Sequence, residues 1–146
     1  MSDADAHPET LISTNSLGGL LVATSRFNEA NALLAPAEEA AEKAFVGGNG
    51  HRLASSLLNL GKARAALGEF ASAKGNLVEA QGIFAQTRGP AHEATRDCTQ
   101  ALIDLYDAWH AAEPGDGHDL NAVEWRGKLA ELQDMQQPAT TAPSNR

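Results

Sequence analysis

A few groups of side chains in this 146-residue chain have the type and spacing to do chemistry. Glu113, Asp116, His118 and Asp119 crowd into seven residues, and oxygen ligands beside an imidazole suit a divalent cation. Their spacing matches neither a calcium loop nor the helical H-E-x-x-H zinc pair. A solvated turn rich in Gly, Pro and Asp is the expectation there, with no metal. Cys98 is the one cysteine, and only Arg96 stands near enough in sequence to activate a thiolate, so it reads as a small buried hydrophobe. The glycines of Gly47-Gly48-Asn49-Gly50 lack the preceding strand and following Lys-Ser/Thr of a phosphate loop. No nucleophile elbow or dinucleotide fingerprint occurs either, so neither catalysis nor a cofactor is expected. Asp97, Gln100, Asp104 and Asp107 differ: they step by three, four and three, which places them on one helix face as an anionic stripe.

Helices must carry these groups. Leu53, Leu57, Leu60, Ala63 and Leu67 recur at helical spacing, as do Phe70, Ala73, Leu77, Ala80 and Phe84. Gly68-Glu69 between them suffices only for a tight turn, and no stretch alternates with period two, so the fold class is all-α. The periodicity predicts helices over 10–24, 28–46, 52–67, 70–86, 92–110 and 119–134. Pro36 should kink the second, and Gly18 and Gly19 should weaken the first. An inserted loop is expected at Ala112-Glu113-Pro114-Gly115-Asp116-Gly117. Trp109 and Trp125 should fill the space beside it and cap the core. Hydrophobic residues at 42% support one domain with a modest core. Eleven Lys and Arg against 19 Asp and Glu give a net charge of −8, which argues against nucleic acid as a partner. Apolar runs are too short for a membrane span, and the acidic start lacks the features of a signal peptide, so a soluble cytoplasmic protein is expected.

The pattern repeats. Asn15-Ser16-Leu17-Gly18 recurs as Leu58-Asn59-Leu60-Gly61 and, more loosely, as Gln100-Ala101-Leu102-Ile103, spacing the leucines by 43 and 42 residues. Ser25-Arg26-Phe27 with Ala30 and Leu34 matches Gly68-Glu69-Phe70 with Ala73 and Leu77. His7, His51 and His92 precede the three leucines by ten, nine and ten residues, which assigns them to repeat boundaries where an imidazole can bond a backbone group. A fixed period of this size, with two helices per unit, is the mark of an α-solenoid. Leu57-x-x-Leu60-Gly61-x-x-Arg64, then Gly68-x-Phe70-x-x-Ala73-x-x-x-Leu77-x-x-Ala80, resembles a tetratricopeptide repeat. Gly89-Pro90-Ala91-His92 and His7-Pro8-Glu9-Thr10-Leu11 resemble the repeat opening of its kinesin-light-chain-like branch. The resemblance covers roughly residues 7 to 133. It implies a right-handed solenoid of three units, at about 10–50, 51–91 and 92–134, between a lead-in at 1–9 and a disordered tail at 135–146. Small residues belong where paired helices cross: Gly18, Ala30 and Ala37 in the first unit, Gly61, Ala73 and Ala80 in the second. In the third, Ile103 and Leu129 replace small residues and only Ala122 is kept, which predicts wider or re-angled packing.

The resemblance also implies a concave groove lined by the first helix of each unit. Carried over, its positions are Ile12, Asn15, Gly19 and Val22, then Ser55, Leu58, Lys62 and Ala65, then Asp97, Gln100, Asp104 and Asp107. Asn59 is marked as well, at a place where asparagine can bond a bound peptide's backbone. Only Asn59 and Lys62 match a carboxylate clamp, and Asp104 is placed to neutralise Lys62. The expected partner is therefore a basic or mixed-charge protein segment with an apolar anchor, steered by the aspartates. The face could equally be a merely solvated one. Solenoid ends near Leu11 and Leu20, or near Leu129, Leu132 and Met135, would suit a homodimer instead. The chain also resembles the repeat tail of larger bacterial multidomain proteins, including some Ser/Thr kinases, and no kinase motif is present in it.

Overall fold

In the computed structural model, which describes residues 7–136, every regular element among those residues is helical. Helix α1 spans Pro8–Ala23, α2 Phe27–Leu34, α3 Glu38–Ala44 and α4 Gly50–Ala66. Helix α5 spans Phe70–Arg88, α6 Glu93–Ala112 and α7 His118–Gln136, and a 3-10 turn at Gly47–Asn49 leads into α4. The all-α class is as expected. None of these helices is long and apolar enough to cross a membrane. The lead-in ahead of His7 and the tail beyond Gln136 lie outside the described residues, and α7 takes in Met135 and Gln136, which the sequence pattern places in the tail.

Pro36 does more than kink the helix expected over 28–46: it divides it into α2 and α3. Proline has no N–H to offer the preceding turn, and its ring crowds the carbonyl four residues back. The chain crosses the gap with bonds that span three residues instead of four, from Ala37 N–H to the Leu34 carbonyl (3.1 Å) and from Glu38 N–H to the Ala35 carbonyl (3.2 Å).

Two of the matched turns and two of the three spaced histidines form similar local structures. Between α1 and α2, Arg26 N–H donates to the Leu21 carbonyl at 2.7 Å; between α4 and α5, Glu69 N–H donates to the Arg64 carbonyl at 2.8 Å. Both turns need a left-handed residue, Ser25 (φ 62°) in the first and Gly68 (φ 83°) in the second. Glycine adopts that conformation freely, whereas serine is strained by its Cβ. His7 and His92 cap α1 and α6, their Nδ1 atoms accepting from Glu9 N–H (3.3 Å) and Ala94 N–H (3.0 Å). His51 does not cap, because the 3-10 turn starts α4 at Gly50 and leaves this histidine inside the first turn.

Packing follows chain order. Helix α1 packs on α2, α2 on α4, α4 on α5, α5 on α6, and α6 on α7, while α1, α4 and α6 also touch in succession. The tightest crossings fall where the sequence has glycine. A Cβ on Gly18 would come within 2.6 Å of Leu34, and one on Gly61 within 2.7 Å of Leu77. Gly18 thus sits under a core leucine, where a Cβ would require Leu34 or the α1 backbone to shift. At the matching place in α6, Ile103 is itself buried.

Two main apolar clusters result. One joins Leu11, Phe45, Leu53, Leu57 and Phe84; the other joins Leu77, Leu102, Leu105 and Tyr106. Each leucine so buried contributes about 1.5–3 kcal/mol relative to exposure. Leu11, expected on an exposed end, is instead 5% exposed within the first cluster, because α3 folds back over it. A polar network fastens α3 to the next hairpin: Arg64 donates to Asn76 Oδ1 at 2.7 Å, and Asn76 Nδ2 donates to Glu38 at 3.2 Å. Trp109 and Trp125 both pack on the second cluster, and Trp109 also stacks on His118 where α7 begins.

Candidate functional site

Helices α4 and α6, with the end of the first hairpin, enclose an open groove of about 510 Å³. Val22, Phe27, Ala65, Ala66, Ala101 and Leu105 form much of its lining, and Lys62, Asp97, Gln100 and Asp104 supply the polar groups. The alternation on α6 has a simple origin. Its inward residues Cys98, Leu102 and Leu105 hold the helix against the core, so the stripe from Asp97 to Asp104 is turned outward along the groove. Ala65, Ala101 and Ala108 are short, and that is what leaves the trough between the two helices.

The groove's charges are largely uncommitted. Lys62 lines it together with Asp97 and Asp104, yet no ion pair within 4.0 Å joins Lys62 to any described carboxylate. Asp104 accepts one bond on Oδ1, from Gln100 Nε2 at 3.0 Å, and is otherwise open. Cys98 is fully buried behind this wall, and burial pushes its thiol up to about 12, with Asp97 adding to the rise and Lys62 opposing it. A thiol so shifted stays protonated and does not serve as a nucleophile.

The remaining groove candidates are placed elsewhere. Asp107 is paired with Arg126 on α7, so it is not part of the trough. Asn15 and Asn59 bind each other across α1 and α4: Asn59 Nδ2 donates to Asn15 Oδ1 at 2.9 Å, and Asn15 Nδ2 donates to Ser55 Oγ at 3.0 Å. Gly19 leaves space for this contact, since its Cβ would stand 3.2 Å from Asn59 Nδ2. One Asn59 N–H is therefore spent within the fold. Leu58 is half-buried and packs against both main clusters. Asn15 and Ser55 also line a smaller hollow of about 230 Å³ with Ile12, Ser16, Phe45, His51 and Arg52.

Where the loop after α6 enters α7, ligand atoms of Glu113, Asp116 and His118 lie within 4.8 Å of one another. They are the described residues with the geometry to approach a divalent cation, although both carboxylates are exposed and neither is held by a side-chain hydrogen bond among described residues. Aromatic stacking orders the histidine. Its ring lies 4.0 Å from Trp109, which stacks in turn on Tyr106 (6.0 Å) and Phe70 (5.6 Å). Burial raises the Tyr106 phenol above its ordinary range, and Glu124 adds to it. Asp119 stands 3.9 Å from His110, outside that trio. Trp125 lies under Lys128, whose Nζ is 4.3 Å from the ring.

Sequence reasoning had no reason to place Phe27, Ala101, Leu105 or Ala108 in the trough, because their spacing reports a buried stripe and not which neighbour covers it. It also missed most of the exposed apolar surface: Leu17 (48%) and Leu120 (69%) join the expected Leu20 (60%). Val123 lies beside Leu120 on the outer face of α7 and is 63% exposed. No protein-family model, curated protein or solved structure matches this chain.

Proposed function

We propose that this chain is a non-catalytic scaffold, a short tetratricopeptide-like solenoid that holds a protein segment in the trough between α4 and α6. The repeat reading is supported by the packing of α4 on α5, α5 on α6 and α6 on α7 in chain order and by the matched turns at Ser25 and Gly68. It is supported further by close crossings at Gly18 and Gly61, 43 residues apart. The observation that carries the binding function is the trough itself. An apolar floor with unpaired charges on both walls, in a volume usual for ligand sites, favours a guest that brings complementary charges and an apolar anchor. A cytoplasmic setting suits such a role.

Charge reversal tests it. Asp97→Arg/Asp104→Arg should abolish retention of partners from a lysate at moderate salt while leaving the helical circular dichroism intact. The same partners recovered by both proteins would remove the trough from the function. Exposed Leu17 and Leu20 on α1, and Leu120 and Val123 on α7, favour a second reading, self-assembly through the ends. Light scattering at high concentration distinguishes it: a monomer throughout would count against assembly.

A further inference from the structure

Asp97 and Asp104 are seven residues apart on α6, hence two turns and about 10.5 Å along its axis. Between them on the same wall is Ala101, and across the trough are Ala65 and Ala66. These small residues leave room for a large side chain midway between the two carboxylates. Resting on the trough reading above, we infer that the guest is an amphipathic helix with basic residues seven positions apart and a large apolar residue three or four positions after the first.

Register is the physical reason. A guest helix lying along α6 has the same rise per residue, so side chains at i and i+7 meet Asp97 and Asp104 while i+3 or i+4 enters between Ala65 and Ala101. An extended segment does not match. Its same-face side chains recur at about 6.6 Å and about 13 Å, one too short and the other too long for the two carboxylates. The charges complement such a guest: Asp97 is without an ion pair among the described residues, and Asp104 has one oxygen free of Gln100. Lys62, which pairs with no described carboxylate on the opposite wall, adds a preference for an acidic residue on the guest's other flank. The chain's net charge of −8 draws a basic helix toward it from any direction, so spacing, not charge alone, is the discriminating property.

The test uses two end-blocked, fluorescently labelled peptides of about 18 residues, long enough for helix formation and identical in composition. One carries Arg at i and i+7 with Leu at i+4; in its isomer the second Arg is moved to i+5, on another face. Anisotropy titrations against the wild-type chain should show the first peptide binding at least about tenfold more tightly. Asp97→Asn and Asp104→Asn should each remove most of that advantage, with unchanged helical circular dichroism. Equal affinity for the two isomers, both lost on Asp97→Arg/Asp104→Arg, would overturn the helical register and leave the trough reading standing. Failure of both peptides to bind would overturn the inference. If charge reversal also left the retained lysate partners unchanged, the trough reading would fall with it.

Discussion

Replacing Gly61 by alanine is the most direct probe of how the central hairpin is built. The new Cβ would lie 2.7 Å from both Cγ and Cδ2 of Leu77 and 3.3 Å from Cβ of Asn76. Carbon atoms prefer about 3.5–4.0 Å, so Leu77 or the α4 backbone must shift by roughly 1 Å. Leu77 is fully buried and has nowhere to go without disturbing its neighbours. Overpacking of this kind costs about 1–3 kcal/mol, while alanine's higher helix propensity returns about 1 kcal/mol. The net expectation is a loss of about 0–2 kcal/mol. Gly82 on α5 provides the control, because a Cβ there meets nothing within 4 Å. Gly82→Ala should therefore stabilise by about 0.5–1 kcal/mol. The two alanine variants, chemically the same change, should differ by about 1–3 kcal/mol, several degrees in Tm by thermal unfolding. A cycle with Leu77→Ala sharpens the test. Removing that side chain costs about 2–5 kcal/mol by itself, but Gly61→Ala made on top of it should turn from damaging to neutral or stabilising. If Gly61→Ala matches Gly82→Ala in the parent chain, or costs the same with Leu77 removed, the close crossing of α4 and α5 is not what the glycine serves.

Four further outcomes are expected. Native Cys98 should resist thiol reagents at pH 8 and react fully once the chain is unfolded in urea; rapid labelling of the native chain would refute its burial. Because its folded pKa is raised to about 12, its contribution to stability is whole below the ordinary thiol value and fades as pH climbs from about 9 to 12, which comparison with Cys98→Ala isolates. Asn76→Ala should cost about 1–3 kcal/mol in urea unfolding, since it removes the acceptor of Arg64 and the donor to Glu38 from a buried site, and an unchanged midpoint would deny that network a structural role. Ser25→Gly should stabilise by about 1 kcal/mol by relieving the left-handed serine at the first turn; destabilisation would mean that its strain is not what limits that turn.

Much of the helical layout was legible because it depends on local rules. Leu53, Leu57 and Leu60 report their helix by spacing, and Gly68 reports its turn by the conformation it permits. The matched repeats pointed to Ser25 as the counterpart of Gly68, and both are left-handed. Pro36 announced trouble in the second helix but not its outcome. Whether a proline kinks or divides a helix depends on what the flanking turns gain by packing, and here α3 gains the cluster around Leu11 and Phe45. His51 misled for a comparable reason: its spacing is close to that of His7 and His92, but a 3-10 turn shifted the start of α4 ahead of it.

The candidate site divides along the same line. Sequence alone determined that Asp97, Gln100, Asp104 and Asp107 share one face of one helix, because a helix's period is a property of its own backbone. Which of them face the trough was decided only by tertiary structure. Arg126 arrives from α7 to take Asp107, whereas no such partner reaches Asp97 among the described residues. Likewise Asn59 could be marked by position, but its partner Asn15 lies 44 residues away and meets it only when α1 packs against α4. Periodicity encodes direction within one element, whereas the availability of a charge depends on what neighbouring elements bring to it, and that is settled by packing across the chain.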